Sequence, residues 1–140
     1  MTLRTHRVAT TAFSRVEARL GLDDEERKKY GAIAHKLPGM VLQNGLAQST
    51  GFLLAKGENR DGDHHSLLLD DLIAVLAASG AIKDGQCERL ALHQRIIKAD
   101  LGETLRLTRA VLEASGWMKR YVQGLLRIGA TGESTAQADT

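Results

Sequence analysis

Apolar residues recur every three or four positions along most of this 140-residue chain. This spacing places them on one face of an α-helix and predicts a protein built from helices. We therefore predict an all-α fold, a single compact bundle of about six helices. The helices are expected over residues 3–20, 24–36, 38–56, 66–79, 86–99 and 101–128.

Residues 1–128 carry this periodicity and are expected to form a single helical domain. The last segment, 129–140, contains Gly, Thr, Ser, Ala, Gln and Asp without apolar periodicity. A segment of that composition buries too little apolar surface to offset the entropy of ordering it. We therefore expect a disordered C-terminal tail.

The stretch from Leu37 to Gly57 is expected to supply the central helix of the bundle. It starts with Pro38, the single proline, which suits the first turn of a helix and ends the helix before it. Gly45 lies on the apolar face, where it predicts close approach of another helix. The residues expected to be buried on that face are Val41, Leu42, Leu46, Ser49, Phe52 and Leu53.

A second stripe on this helix carries two amides one turn apart, Asn44 and Gln48, among small side chains. Such a stripe either bridges two helices by hydrogen bonds or faces a partner. Trp117 in the last helix leaves a similar choice, since an indole fits the edge of a core as well as a binding surface. The residues assigned to subunit contact or internal packing are Asn44, Gly45, Gln48, Trp117 and Lys119.

Basic residues concentrate at the two ends of the chain. The first 20 residues contain four arginines against one glutamate, although the whole chain has a net charge of only +2. Guanidinium groups pair with phosphate, so arginine arcs on the first and last helices suit a nucleic-acid backbone. Solvated faces are the other interpretation, and reversing a solvated charge should leave the melting temperature unchanged. The candidate contacts are Arg4, Arg7, Arg15, Arg19, Arg106, Arg109, Arg120 and Arg127.

The sequence contains no constellation of residues typical of an enzyme. There is one cysteine, the five histidines have no metal-ligand spacing, and no phosphate-binding glycine loop occurs. Cys87 has no visible partner for thiol chemistry, and His93 is expected to be a hydrogen-bonded core residue. We therefore expect no catalytic residue, no metal site and no cofactor.

The most metal-like stretch lies between the third and fourth predicted helices. Four polar residues match ligand positions of an EF-hand loop: Asn59, Asp61, Asp63 and Asp70. However, His64 stands where the sharp turn needs glycine, and Asp70 replaces the bidentate glutamate. We expect a mobile acidic loop instead, with Asp63 or Ser66 capping the next helix.

The sequence has no feature that directs it to a membrane. No apolar run reaches the roughly 18 residues that a membrane span needs. The N-terminal residues lack the apolar core of a signal peptide. With one cysteine, the chain cannot form an internal disulfide. We expect a cytoplasmic protein.

Three motifs share the order and spacing of a known family. Tyr30 precedes Leu37-Pro38, the segment Asn44-Gly45-Leu46-Ala47-Gln48 precedes Phe52-Leu53, and Trp117-Met118-Lys119-Arg120-Tyr121 lies near the C-terminus. Over residues 10–123 the chain resembles the small all-helical subunit of the Cmr complex, the fifth subunit of type III-B CRISPR RNA-guided effectors. Tyr121 stands where the family pattern has phenylalanine, and the loop at 58–65 has no counterpart in that pattern.

This resemblance implies a non-catalytic, RNA-binding subunit of a ribonucleoprotein used in antiviral defence. In that family several copies stack into a filament beside the backbone subunits that hold the guide RNA, and the filament supports the target RNA along a basic groove. The implied partners are the backbone and large subunits of the Cmr complex, further copies of the chain, guide RNA and target RNA. A helical adaptor that binds only protein is the alternative.

The missing catalytic constellation leads to a first prediction. Purified protein is expected to show no nuclease activity and no nucleotide hydrolysis above background, with or without divalent metal ions. The measurements are cleavage of labelled RNA and DNA, and release of phosphate. Activity that disappears in the His64→Ala/His65→Ala double variant, but survives in other surface variants, would contradict the expectation.

Overall fold

The structure, a computed structural model, describes residues 3–83 and 87–129. Over these ranges the chain forms six α-helices, as predicted. They are α1 (Leu3–Ala18), α2 (Asp24–Asn44), α3 (Leu46–Gly57), α4 (His64–Ser79), α5 (Arg89–Ile97) and α6 (Leu101–Tyr121). A 3₁₀ turn, Arg19–Gly21, follows α1, and a π-helical turn, Val122–Leu126, follows α6. The expected disorder of the tail concerns residues 130–140, which lie outside the described residues.

The helix that the others surround is α4. It packs against α1, α2, α3, α5 and α6, and leucines occupy several of its buried positions. A helix that is apolar around most of its circumference belongs in the interior of a bundle. The prediction that residues 38–56 form the central helix is therefore wrong. Although α4 is apolar, no helix in the described part of the chain is long and apolar enough to cross a membrane.

Pro38 neither starts nor ends a helix, contrary to the prediction, but lies inside α2. A proline at an interior position removes one backbone hydrogen bond of the helix. Ala34, Leu37 and Val41 are buried in the core around it, and their burial offsets that loss. The second helix therefore continues past Lys36 to Asn44.

The helix breaks at Gly45, which separates α2 from α3. Gly45 has φ +86° and ψ 165°, a backbone conformation open almost only to glycine. Its N–H bonds to the Val41 carbonyl at 2.9 Å, and its own carbonyl accepts from the Ser49 N–H at 3.2 Å. A Cβ at this position would have nothing within 4 Å. The predicted close approach of another helix is wrong, because the backbone turn, not packing, requires glycine.

Asp23 with Glu26 and Asp100 with Glu103 have the three-residue spacing that predicts a helix cap, and these caps and the one at Asp63 are confirmed. Each aspartate accepts a hydrogen bond from a backbone N–H two or three residues further on, at 2.8 to 2.9 Å. They are Asp23 before α2, Asp63 before α4 and Asp100 before α6. Gly80 ends α4 in the left-handed conformation, also as predicted.

In α1 and α5 the inward faces that the periodicity predicts are only partly right: these were Ala9, Phe13, Val16 and Leu20 for the first helix, and Leu90, His93 or Gln94, and Ile97 for the fifth. The residues buried in α1 are Val8, Ala12 and Val16, and those buried in α5 are Leu92 and Ile96. Expected core residues that are exposed instead are Phe13, Leu20, Leu42, Leu90 and Ile97. Each of these helices has apolar residues on more than one arc, and packing against its neighbours selects which arc is buried.

The sequence also predicts an apolar seam along the last helix, in alternating steps of four and three residues from Leu107 to Ile128, and this seam is confirmed from Leu107 to Met118. The buried residues there are Leu107, Val111, Ala114 and Met118. Beyond them Val122 and Leu126 are buried in place of the predicted Tyr121 and Leu125. The buried positions therefore continue from Met118 in steps of four rather than in alternating steps, and the π-helical turn covers the last of these steps.

The described end of the chain folds back onto α2. His35 was expected on the surface, but it is only 7% exposed. Its Nε2 lies 2.9 Å from the Ile128 carbonyl oxygen, and the Ile128 side chain packs over Gly31. The prediction for His35 is wrong because this returning segment, which is far away in sequence, covers the ring.

Leu46 and Leu42 make a matched pair on the two sides of the Gly45 break. Leu46 is 3% exposed and Leu42 is 71% exposed. Leu46→Ala is expected to lower the free energy of unfolding by about 2–5 kcal/mol, whereas Leu42→Ala should change it by less than about 0.5 kcal/mol. Urea unfolding followed by circular dichroism measures both. Equal reductions in the two variants would contradict the placement of the break.

Candidate nucleic-acid interface

Three of the candidate arginines converge on the C-terminal end of α4. Guanidinium nitrogens of Arg4, Arg7 and Arg106 lie 3.0, 3.5 and 3.0 Å from the backbone carbonyl oxygens of residues 79, 78 and 81. The last carbonyl groups of a helix have no partners inside the helix and carry the negative end of its dipole. The end of α4 therefore attracts and orients Arg4 and Arg7 from α1, while the Ala81 carbonyl, two residues past the helix, holds Arg106 from α6.

Arg4, Arg106 and Arg109 line an open groove of about 560 Å³ beside this helix end. Two carboxylates neutralise part of its charge, since Glu113 lies 2.9 Å from Arg4 and Glu103 lies 3.3 Å from Arg106. Arg109 is exposed and forms no ion pair with a described residue, and the same holds for Arg7 at the groove's edge. Arg7 and Arg109 are thus the cations here that an external anion can reach most easily. We call this surface the arginine groove.

Arg15 and Arg19 are engaged by Asp71, a carboxylate in the middle of α4. Asp71 is 0% exposed, and both of its oxygens accept hydrogen bonds. Arg15 Nε lies 2.8 Å from Oδ1, and Arg19 lies 2.6 Å from Oδ1 through Nη2 and 2.9 Å from Oδ2 through Nε. The Tyr30 hydroxyl donates to Oδ2 at 2.5 Å. These four residues, the Asp71 cluster, join α1 and α2 to α4.

The protonation states within the Asp71 cluster follow from its burial. Burial, together with the charge of Asp71, raises the pKa of the Tyr30 phenol well above its usual value, so the hydroxyl stays a donor. Burial alone would lower the pKa of Arg19, but the hydrogen bond and charge of Asp71 outweigh it and the pKa is raised. The Arg19 side chain is only 14% exposed. The expectation of a solvated guanidinium is therefore wrong for Arg19.

Aromatic rings join α1 to the end of α6. The Trp117 and Tyr121 rings stack with centroids 5.8 Å apart, and Phe13 meets Tyr121 edge-on at 5.4 Å. The Arg120 guanidinium lies over the Trp117 ring, 5.5 Å from its centroid. Trp117 is half-buried against the hydrophobic core, which agrees with the interpretation as a residue at the edge of the core.

Arg127 lies apart from the other arginines of the last helix. The sequence placed it on one helical arc with Arg106, but α6 ends at Tyr121 and Arg127 follows the π-helical turn in a left-handed conformation. It lines a separate hollow with Leu20 and Lys28. The continuous basic arc predicted for 106–127 is therefore interrupted.

The two amides of the predicted interface stripe flank the helix break. Asn44 and Gln48 are both exposed, and neither forms a hydrogen bond to a side chain in the described part of the chain. They therefore do not bridge two helices within this part. Lys119 is half-buried on α6, next to Arg120. Contact of Asn44, Gln48 or Lys119 with a partner stays a prediction.

Reasoning from the sequence missed Arg89, which closes the 58–65 loop. Its guanidinium donates to both Asp70 oxygens at 2.7 and 2.8 Å, to Asp61 at 3.0 Å and to Asn59 at 3.1 Å. The hydrogen bond to Asp70, followed by that to Asp61, raises the pKa of Arg89. The loop was expected to be mobile, but these contacts fasten it to α4 and α5. Its excess of carboxylates was the signal that a cation from elsewhere would be needed.

Comparison with known proteins gives one consistent result. Residues 4–125 match the family model of the CRISPR-associated protein Cas_Cmr5. A "CRISPR system Cmr subunit Cmr5" of Thermus thermophilus is 36% identical over 102 residues, which cover 73% of this chain and 79% of the relative. One of the same name from Thermotoga maritima is 30% identical over 114 residues, covering 81% and 79%.

A solved structure agrees with these relatives. The crystal structure of a CRISPR-associated Cmr5 family protein from Thermus thermophilus matches this fold with a TM-score of 0.72 at 32% identity. The match covers 90% of this chain and 99% of that chain. The similarity therefore extends over the whole bundle.

The Asp71 cluster gives a prediction that separates structural arginines from exposed ones. Arg19→Glu leaves a buried carboxylate facing a second negative charge, and it is expected to cost roughly 3–5 kcal/mol of unfolding free energy. Arg109→Glu, the matched control, should change it by less than about 0.5 kcal/mol. Thermal and urea unfolding measure both. If Arg19→Glu has the same melting temperature as the wild type, the Asp71 cluster does not stabilise the fold.

Proposed function

The chain belongs to the Cmr5 family of CRISPR-associated proteins, and from this membership we propose that it is a small subunit of a type III-B Cmr ribonucleoprotein effector. In this proposal it supports the RNA strand through a basic surface and leaves cleavage to other subunits. Its partners are the backbone and large subunits, guide RNA, target RNA and further copies of itself in a filament. It acts in the cytoplasm.

The observation that carries the RNA-binding part is the arginine groove. Arg4 and Arg106 are held in place by carbonyl groups at and just past the end of α4, while Arg7 and Arg109 are not neutralised by a described carboxylate. A phosphate entering this groove would meet guanidinium donors that are already oriented, which lowers the entropic cost of binding. These contacts would join guanidinium groups to the phosphates of the RNA backbone and would not involve the bases, so binding is expected to be independent of base sequence.

The proposal assigns no catalytic role to the chain. One hydroxyl–imidazole pair among the described residues has the geometry of a catalytic pair, but its surroundings do not suit catalysis. Thr50 Oγ1 lies 2.7 Å from His93 Nδ1, a distance suited to a nucleophile and its base. However, Thr50 is only 1% exposed, and its hydroxyl also lies 3.3 Å from the Ala47 carbonyl. The pair links α3 to α5, and the Thr50 hydroxyl that would have to act as the nucleophile is buried.

A protein adaptor without nucleic-acid contact is the second candidate function, and one observation favours it. Four large apolar side chains on α5 and the start of α6 are more than half exposed: Leu90, Ile97, Leu101 and Leu105. Exposed apolar side chains in such number are typical of protein contacts. The two functions differ in salt dependence, because an adaptor has no RNA affinity to screen.

Charge reversal in the arginine groove tests the RNA-binding proposal. Arg7→Glu and Arg109→Glu are each expected to weaken single-stranded RNA binding by the assembled complex, since each removes a guanidinium that pairs with phosphate. Removing one such guanidinium–phosphate pair should also reduce the slope of log affinity against log salt by about 0.7. Fluorescence anisotropy over a salt series measures both quantities.

Lys36→Glu is the matched control, because Lys36 is exposed on α2 and forms no ion pair with a described residue. It makes the same change in charge and should leave RNA affinity unaltered. Affinity that is unchanged in all three variants would favour the adaptor. Isolation of the chain from its host without guide RNA or sister subunits would contradict membership of the complex.

A further inference from the structure

Two histidines and an aspartate meet where the loop enters α4. One potential ligand atom from each of Asp63, His64 and His65 lies within 4.8 Å of the others. The His64 and His65 rings are 4.1 Å apart between centroids, and His65 Nδ1 lies 3.0 Å from Asp63 Oδ1. All three side chains are largely buried. Side chains of residues adjacent in sequence usually point in different directions on a helix. These three converge because they lie at the start of α4, where Asp63 is the N-cap.

A fourth group reaches this cluster from α2. Glu26 Oε2 lies 3.7 Å from His64 Nδ1, so a second carboxylate faces the imidazole pair. Two cations stand nearby: Lys29 is 3.6 Å from the other Glu26 oxygen, and Arg60 is 3.6 Å from Asp63 Oδ2. Each contacts the carboxylate oxygen that is not turned toward the histidines. The histidine side of the cluster is thus left without a cation.

Beside the cluster, Gly57 packs closely against Ser66 and Asp63, with no room for a side chain at position 57. A Cβ on Gly57 would come within 2.7 Å of Ser66 Oγ and 3.1 Å of Asp63 Oδ1, so both oxygens face the same small space. Ser66 is buried, and its hydroxyl has no hydrogen-bond partner in the described part of the chain. Buried hydroxyl groups without partners are rare and point to a ligand or water at that place.

We propose that Asp63, His64 and His65 bind one divalent transition-metal ion of the Zn²⁺ type. Two imidazoles with a carboxylate suit zinc and its neighbours, whereas calcium prefers oxygen ligands alone. Ligand atoms around tetrahedral zinc are about 3.4 Å apart for bonds near 2.05 Å, so rotations of side chains that already lie within 4.8 Å suffice. A water as fourth ligand would give Ser66 its missing partner, and Glu26 would hold His64 in position.

The ion would connect the start of α4 to the start of α2 through Glu26. Folded protein would bind it more strongly than unfolded protein, which lacks the preformed cluster. Metal is therefore expected to raise the melting temperature by roughly 5–10 °C when free Zn²⁺ exceeds the dissociation constant 100-fold. The effect is independent of RNA binding by the arginine groove, which lies at the other end of α4.

The test uses the full chain, without an affinity tag and stripped of metal with a chelator. Isothermal titration with ZnCl₂ at pH 7.5 is expected to give one Zn²⁺ per chain, and Co²⁺ should produce a visible absorption band. Asp63→Asn removes the carboxylate but keeps the helix cap, since asparagine caps as well as aspartate. It should weaken Zn²⁺ binding at least about 10-fold, as should His64→Gln/His65→Gln.

His6→Gln is the control, because His6 is exposed on α1, away from the cluster. It should bind Zn²⁺ with wild-type affinity and show the same rise in melting temperature. The proposal is overturned if the wild type binds no Zn²⁺. It is equally overturned if Asp63→Asn, folded by circular dichroism, binds as tightly as the wild type.

Discussion

The buried carboxylate of Asp71 is the constraint on which the arrangement of α1, α2 and α4 depends. A charge with 0% exposure is stable only when it is fully paired. Arg15 supplies that pairing from α1, Arg19 supplies it from the 3₁₀ turn after α1, and the Tyr30 hydroxyl supplies it from α2. Apolar packing alone would tolerate a sliding of α1 along α4. The directional hydrogen bonds of the Asp71 cluster set the position of both neighbours and divide the arginines of α1 into two groups.

Both proposed surfaces lie at the ends of α4. Carbonyl groups at and just past its C-terminal end orient the arginines of the groove, while its first turn brings together Asp63, His64 and His65. Sixteen residues separate these ends, a distance of about 24 Å at 1.5 Å per residue. The central helix thus holds a basic surface at its negative dipole end and an imidazole–carboxylate cluster at its positive end. Each surface can be altered without disturbing the other.

The exposed side chains of the bundle suit the contacts proposed for a member of the Cmr5 family. The proposed stacking of copies would require surfaces for protein as well as for RNA. The exposed leucines of α5 and α6 and the amides at Asn44 and Gln48 provide area for such contacts. The arginine groove lies between α1, the end of α4 and the start of α6, and Leu105 from the exposed apolar set also lines it. The two surfaces therefore adjoin each other at the start of α6.

The sequence by itself determined the helical class, the family and the three helix starts that an aspartate caps, because periodicity and caps act over three or four residues. Asp23, Asp63 and Asp100 each cap as their local pattern predicts. The roles of Arg19 and Arg89 were decided only by tertiary structure. Their carboxylate partners are 52 and 19 residues away, and no local pattern encodes such pairs. Pro38 stayed inside a helix for the same reason, since burial of its neighbours outweighed a local rule.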